Sequence, residues 1–156
     1  FFWDTFCGNY LEIVKDRLYN PDKRGKAGRI SGQHTLYNSL KDILKLFAPI
    51  TPFITEEIYS CYFAKNEGEK SIHLSKWPDC YSDIDDKKIE GIGDKFVELL
   101  ANIRKFKSEQ GKSLKESVAV TLEKKDHDLL GKCMDDFKAT GNIRDINIGK
   151  KFSISF

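Results

Sequence analysis

Apolar side chains recur at three- and four-residue spacing through most of this chain, and the rhythm changes once, near residue 113. Trp3, Phe6, Tyr10, Ile13, Val14 and Leu18 form one stripe with Asp4, Glu12, Lys15 and Asp16 off it, which predicts a helix over residues 1–19. Residues 20–32, "NPDKRGKAGRISG", carry the Pro, Gly and Asn of a loop. Leu36, Leu40, Ile43, Leu44 and Phe47 predict a second helix from about Gln33. It must end by Ala48, because the residue before Pro49 avoids the α region. Thr51 as N-cap and Pro52 as first helical residue open a third helix over about 52–64, with Glu56 and Glu57 near the positive end of its dipole. Its phase predicts Phe53, Ile54, Ile58 and Tyr62 turned inward. The two prolines thus fold one long apolar helix into a corner.

Residues 65–86 read as a crossing segment anchored by Ile72, Leu74 and Trp77. A fourth helix follows over about 86–110, where Ile89, Ile92, Phe96, Leu99, Leu100, Ile103 and Phe106 keep helical period, although Gly91 and Gly93 weaken its start. Gly111 is placed to close it. Then "SVAVTLE" alternates as a strand does, and "DHDLLGKCMDDFKATG" reads as a short helix with Leu129, Leu130, Cys133, Met134 and Phe137 inward. "NIRDINIG" and "KFSISF" are two more alternating runs, with a tight hairpin expected at Gly149 and Lys150. The predicted fold class is mainly α: a helical bundle over 1–112 and a small C-terminal α+β (β-α-β-β) appendix over 113–156. No Met, cap or turn precedes the first helix, so the chain is expected to be a piece of a longer protein, with the N-terminal part of its bundle missing.

Composition narrows the function. With 40% hydrophobic and 32% charged residues the chain can bury a core and stay in water. No apolar run reaches bilayer length, and no signal peptide is expected. Cys7, Cys61, Cys80 and Cys133 lack metal-site spacing, so reduced thiols are expected, the first, second and fourth at least partly buried in helices. His34, His73 and His127 fall in unrelated elements, no phosphate-binding glycine loop is present, and "GIGDK" lacks a preceding strand. No catalytic site is expected. Net charge is only +2, so binding of nucleic acid would have to come from local patches. One such patch is evident: no acidic residue occurs between Asp22 and Asp42, while Lys23, Arg24, Lys26, Arg29 and Lys41 do. Arg104 and Lys107 share a helix face, with Lys105 and Lys112 nearby. The aromatic residues among positions 1–10 can serve either as core or as a platform for bases.

Four segments, in order, resemble one family. "LKLFAPITPFITEEIY" is similar to the helix corner of class I aminoacyl-tRNA synthetases with a helical anticodon-binding domain, L-x-P-x-x-P-F-x-[TS]-E-E-[IL]-[WY]. "FFWDTFCGNYLEIVKDRLY" resembles the preceding helix of the valyl branch, "KSIHLSKWP" the S-[IV]-x-x-x-x-W-P segment, and "IRKFKSEQGKSLKESVAVTLE" the I-R-x-x-[RK]-x-E-x-G helix and its strand. The chain departs from the pattern at Gly8, where the family commonly has Asp, and at Ile50 and Thr51 between the prolines. The ATP-holding signatures and the editing domain are absent. The resemblance implies the C-terminal anticodon-binding part of a cytoplasmic valine–tRNA ligase, whose parent adenylates valine with ATP and Mg²⁺ and passes it to tRNA. The piece itself would hold no cofactor, no metal and no catalytic residue. Its partners would be valine tRNA and the catalytic and editing domains of the parent chain, with no membrane. Lys15, Arg17, Leu18, Tyr19, Lys23, Arg24, Lys26 and Arg29 are the expected contact region, and Arg104, Lys105 and Lys107 a second patch toward the stem. The same module of an isoleucyl enzyme, or a helical protein-interaction module, is the alternative.

Overall fold

Aromatic residues crowd the start of the chain, and the first helix opens with wide turns. In the computed structural model, which describes residues 1–79 and 86–156, Phe2–Tyr10 winds as a π-helix and continues into α1, Leu11–Tyr19. Phe2, Phe6 and Tyr10 stack in sequence, with centroids 6.3 and 5.9 Å apart. Phe6 is buried, whereas Phe1 and Trp3 point to solvent.

The chain divides into two compact units, Phe1–Asn20 with Asp86–Phe156, and Pro21–Asp85. In the first, α5 (Lys87–Glu109) lays Phe96, Leu99, Leu100 and Ile103 against Val118, Val120 and Leu122 of β1 (Val118–Glu123). Asp86 caps α5 by accepting from the amides of Lys88 and Ile89. Gly111, at φ 64°, ends it: Lys112 N reaches back to Lys107 O at 2.9 Å. Two helices, α6 (Lys124–Leu130) and α7 (Met134–Gly141), then break at Gly131 and add Leu130 and Phe137 to the same core. Phe137 meets Phe96 edge to face at 5.4 Å. α5 and the strands share this core and so fall in the same compact unit.

The sheet has the order β2-β1-β3, with β2 at Ile143–Gly149 and β3 at Ser153–Ser155. β1 pairs parallel with β2 from Val118↔Ile143 to Glu123↔Gly149, as the intervening helices allow, and antiparallel with β3 around Val120↔Ile154. The hairpin expected at Gly149 and Lys150 is therefore not formed. The apolar β1 takes the centre, and the polar runs take the two edges. A Cβ on Gly149 would sit 2.6 Å from Thr121 Cγ2, so the glycine serves a close crossing past β1 rather than a tight turn.

In the second unit, α2 (Pro21–Phe47) occupies the stretch expected to be a loop. Only Gly25, at φ 77° and ψ 156°, leaves helical geometry; Gly28 and Gly32 remain within the helix. Lys26, Ala27 and Arg29 between the glycines are good helix formers and carry it. The corner follows as expected, and α3 (Pro52–Tyr62) starts on Pro52. Thr51 does not cap it; its hydroxyl donates to Phe47 O instead. The inward face is also one step out of the expected phase. Thr55, Tyr59 and Phe63 are buried with Leu44, Ala48 and Ile72, while Phe53 is 89% exposed, and Ile54 and Tyr62 are exposed with it. Buried Thr55 donates to Thr51 O and Pro52 O.

Glu56 has a role beyond the dipole: it accepts from Ser71 Oγ at 2.8 Å and Ile72 N at 3.0 Å, pinning the 3₁₀ turn Ile72–Leu74 to α3. Burial pushes its pKa up, but these bonds and one from Ser60 outweigh it and hold the carboxyl below the ordinary range. Glu67, in the short α4 (Ala64–Glu67), accepts from Tyr37 at 2.9 Å and Lys41 at 2.9 Å. Of the expected anchors only Ile72 is buried; Leu74 and Trp77 are exposed, because the turn offers a single inward position. Cys61 is exposed and Cys7 and Cys133 half-buried, all free thiols; Cys80 lies outside the described residues.

Candidate nucleic-acid interface

The side chains singled out as RNA contacts fall into three situations. Lys107 is withdrawn from solvent, 1% exposed, and donates to Leu114 O at 3.0 Å and Gly141 O at 2.7 Å. Burial lowers its pKa. It stands on the stripe of Leu100 and Ile103, so its assignment to an outward patch is corrected: the ammonium ties α5 to the start of the sheet region. Arg17 is likewise engaged. Its Nε donates to Asp136 Oδ1 at 2.8 Å and its Nη2 to Asp136 Oδ2, a two-point fork onto a carboxylate that is 2% exposed. The bond to Asp136 raises the Arg17 pKa. Arg104 donates to Asn9 Oδ1 at 3.0 Å and Gly8 O at 3.3 Å, bracing the π-helical segment. These three cations are internal fastenings.

Lys15 and Lys105 are intermediate. Each is more than half exposed and meets a carboxylate on its own helix, Glu12 at 2.5 Å and Glu109 at 3.8 Å. Exposed pairs of this kind contribute about 0–1 kcal/mol, so either lysine can exchange its partner for a phosphate. Lys15, half-buried Leu18 and exposed Tyr19 share one face of α1 at i, i+3 and i+4.

The outward group lies on α2. Lys23, Lys26 and Arg29 are exposed, and none makes an ion pair among the described residues. Arg24 is half-buried and engaged within the structure. The helix past Gly25 sets Lys26, Arg29, Ile30 and Gln33 on one stripe at i, i+3, i+4 and i+7, all exposed. A loop reading could not see that stripe, which sets exposed Ile30 and Gln33 beside the candidate cations. Their helical spacing after Lys26 was the available signal. Among the described residues no three His, Cys, Asp or Glu side chains gather as a metal site needs, and no helix is long and apolar enough to cross a membrane.

Residues 1–122 match the family model described as the anticodon-binding domain of tRNA ligase. The chain belongs to that family. Among its relatives, the valine–tRNA ligase of Methanothermobacter thermautotrophicus is 35% identical over 151 residues, covering 95% of this chain and 16% of the relative. That of Pyrococcus abyssi is 36% identical over 154 residues, covering 96% and 17%, and that of Rickettsia felis 35% over 146 residues, covering 94% and 16%. The chain thus spans about a sixth of the length of these ligases. Within "IRKFK", this structure gives two of the three basic residues internal duties: Arg104 holds the first helix, and Lys107 holds the backbone at Leu114 and Gly141.

Proposed function

We propose that this chain grips the anticodon stem-loop of valine tRNA, as the anticodon-binding part of a valine–tRNA ligase acting in the cytoplasm. The observation that carries the reading is the set of exposed cations Lys23, Lys26 and Arg29, none in an ion pair among the described residues, inside the family-matched residues. Cations without internal partners are available to phosphates, and phosphate contacts fix register on an RNA. Tyr19, 76% exposed at the end of α1, has a face free for a base, and single-stranded loops are where proteins read RNA sequence. Valine rather than isoleucine rests on the names of the relatives above. In the whole ligase, ATP and Mg²⁺ would serve valine adenylation, on residues outside this chain. The catalytic and editing parts of that ligase would be its partners in the same polypeptide.

Changing Lys23, Lys26 and Arg29 together to Gln tests this. Gln keeps the helix and removes the charge. Binding of valine tRNA should weaken, and the slope of log affinity against log salt should flatten by about 0.7–0.9 for each phosphate no longer neutralised. Lys87→Gln with Lys88→Gln, at the start of α5, is the charge comparison and should change little. Unchanged affinity and slope in the triple variant would place the contact surface elsewhere.

A further inference from the structure

The corner between α2 and α3 turns apolar side chains outward. Leu46, Ile50, Phe53 and Ile54 are 47%, 75%, 89% and 56% exposed, and Tyr62 extends the outer face of α3 at 71%. This exposure is fixed by the backbone. Ile50 N and Thr51 N both bond Phe47 O at 2.9 Å, and Thr55 Oγ1 ties the first turn of α3 to Thr51 O and Pro52 O. Turning Phe53 inward would require turning Thr55 and Tyr59 out of the core.

The chemistry of the patch narrows its occupant. Residues 46–55 contain no charged side chain, so the patch offers nothing to a phosphate backbone. Four large apolar side chains gathered at one corner suit a partner already tethered, whose effective concentration is supplied by the covalent link. The related ligases are about six times as long as the aligned segment. We propose that the corner is where the remainder of the ligase polypeptide docks, through an apolar surface of its own. This rests on reading the chain as part of a longer ligase.

The test introduces Phe53→Cys into both the 156-residue chain and the full-length ligase, without tRNA. Maleimide labelling at position 53 is followed by peptide mass spectrometry. The introduced thiol should label at least tenfold more slowly in the full-length ligase than in the 156-residue chain. Equal rates overturn the proposal. So does protection that appears only after tRNA is added, which would make RNA the cover. Protection within the 156-residue chain that grows with its own concentration would make a second copy the cover, and also overturns it. Binding of valine tRNA by the unsubstituted chain is measured in parallel. Its failure would sink the anticodon reading while leaving the labelling comparison intact.

Discussion

A lysine on the core stripe of α5 has to find oxygen, and Lys107 finds two carbonyls. Replacing it with Met would keep the stem packed but take the ammonium from Gly141 O and leave Leu114 O only a long bond from Asn142 Nδ2, so Lys107→Met should cost about 1–3 kcal/mol in urea melts. Affinity for tRNA, measured well below the melt, should be unchanged. Phe53 and Tyr59 make the opposite comparison on α3. Tyr59→Ala removes a fully buried ring and should cost about 3–5 kcal/mol, whereas Phe53→Ala on the surface should stay within about 0.5 kcal/mol. Equal effects would contradict the helical phase. Acid should loosen the same unit. Glu56 and Glu67 sit below the ordinary value of 4.5, so the folded form holds fewer protons than the unfolded chain. Their contribution is full above that value and is lost as pH falls through the lowered ones. Urea midpoints should therefore drop on acidification below the ordinary glutamate range, and drop less in Glu56→Gln.

Among the elements, α2 carries the plainest test, because two nearby glycines in one basic run play opposite parts. Gly25 sits where a side chain is strained, and Gly25→Ala should cost about 1–3 kcal/mol. Gly28 is helical, with only Arg24 Cβ at 3.9 Å from an added methyl, so Gly28→Ala should stabilise by about 0.5–1 kcal/mol. Thermal melts of the two variants should move in opposite directions. That run also marks how far local pattern reaches. Glycine density predicted a loop over 20–32, yet the helix anchored by Ile43 and Leu44 extends back to Lys26, as far as the kink at Gly25, since a helical glycine weakens a helix by only about 1 kcal/mol. The proline corner was legible because proline acts locally, on its own φ and on the residue before it. The phase of α3 was not. Phe53, Ile54, Ile58 and Tyr62 are as regular a stripe as Thr55, Tyr59 and Phe63, and hydrophobicity favoured it, although only Ile58 of that stripe packs against the core. The missing hairpin has a similar cause. Adjacency in sequence suggested β2 beside β3, but the most apolar strand claims the centre of the sheet.

At the scale of the whole molecule, fold class and family were legible from four ordered motifs, and the strand count with them. The candidate site was legible only as charge. Which cations face outward depends on partners distant in sequence: Asp136 for Arg17, Asn9 for Arg104, and the carbonyls for Lys107. No pattern along the chain announces those pairings. The outward stripe on α2 and, separately in the other unit, the face of α1 that ends in Tyr19 remain as the RNA contacts proposed here. A module of this kind binds without catalysing, so the 156-residue chain should show no valine-dependent exchange of pyrophosphate into ATP above background; exchange would contradict that. The most direct measurement is a titration of the 156-residue chain with the anticodon stem-loop of valine tRNA, against a stem-loop of equal length carrying another anticodon, over rising salt. Both affinities should fall steeply with salt, and the valine stem-loop should stay tighter throughout, since phosphate contacts position the RNA and base contacts specify it. Equal, salt-insensitive binding of the two, or no binding of either, would contradict anticodon recognition by this chain.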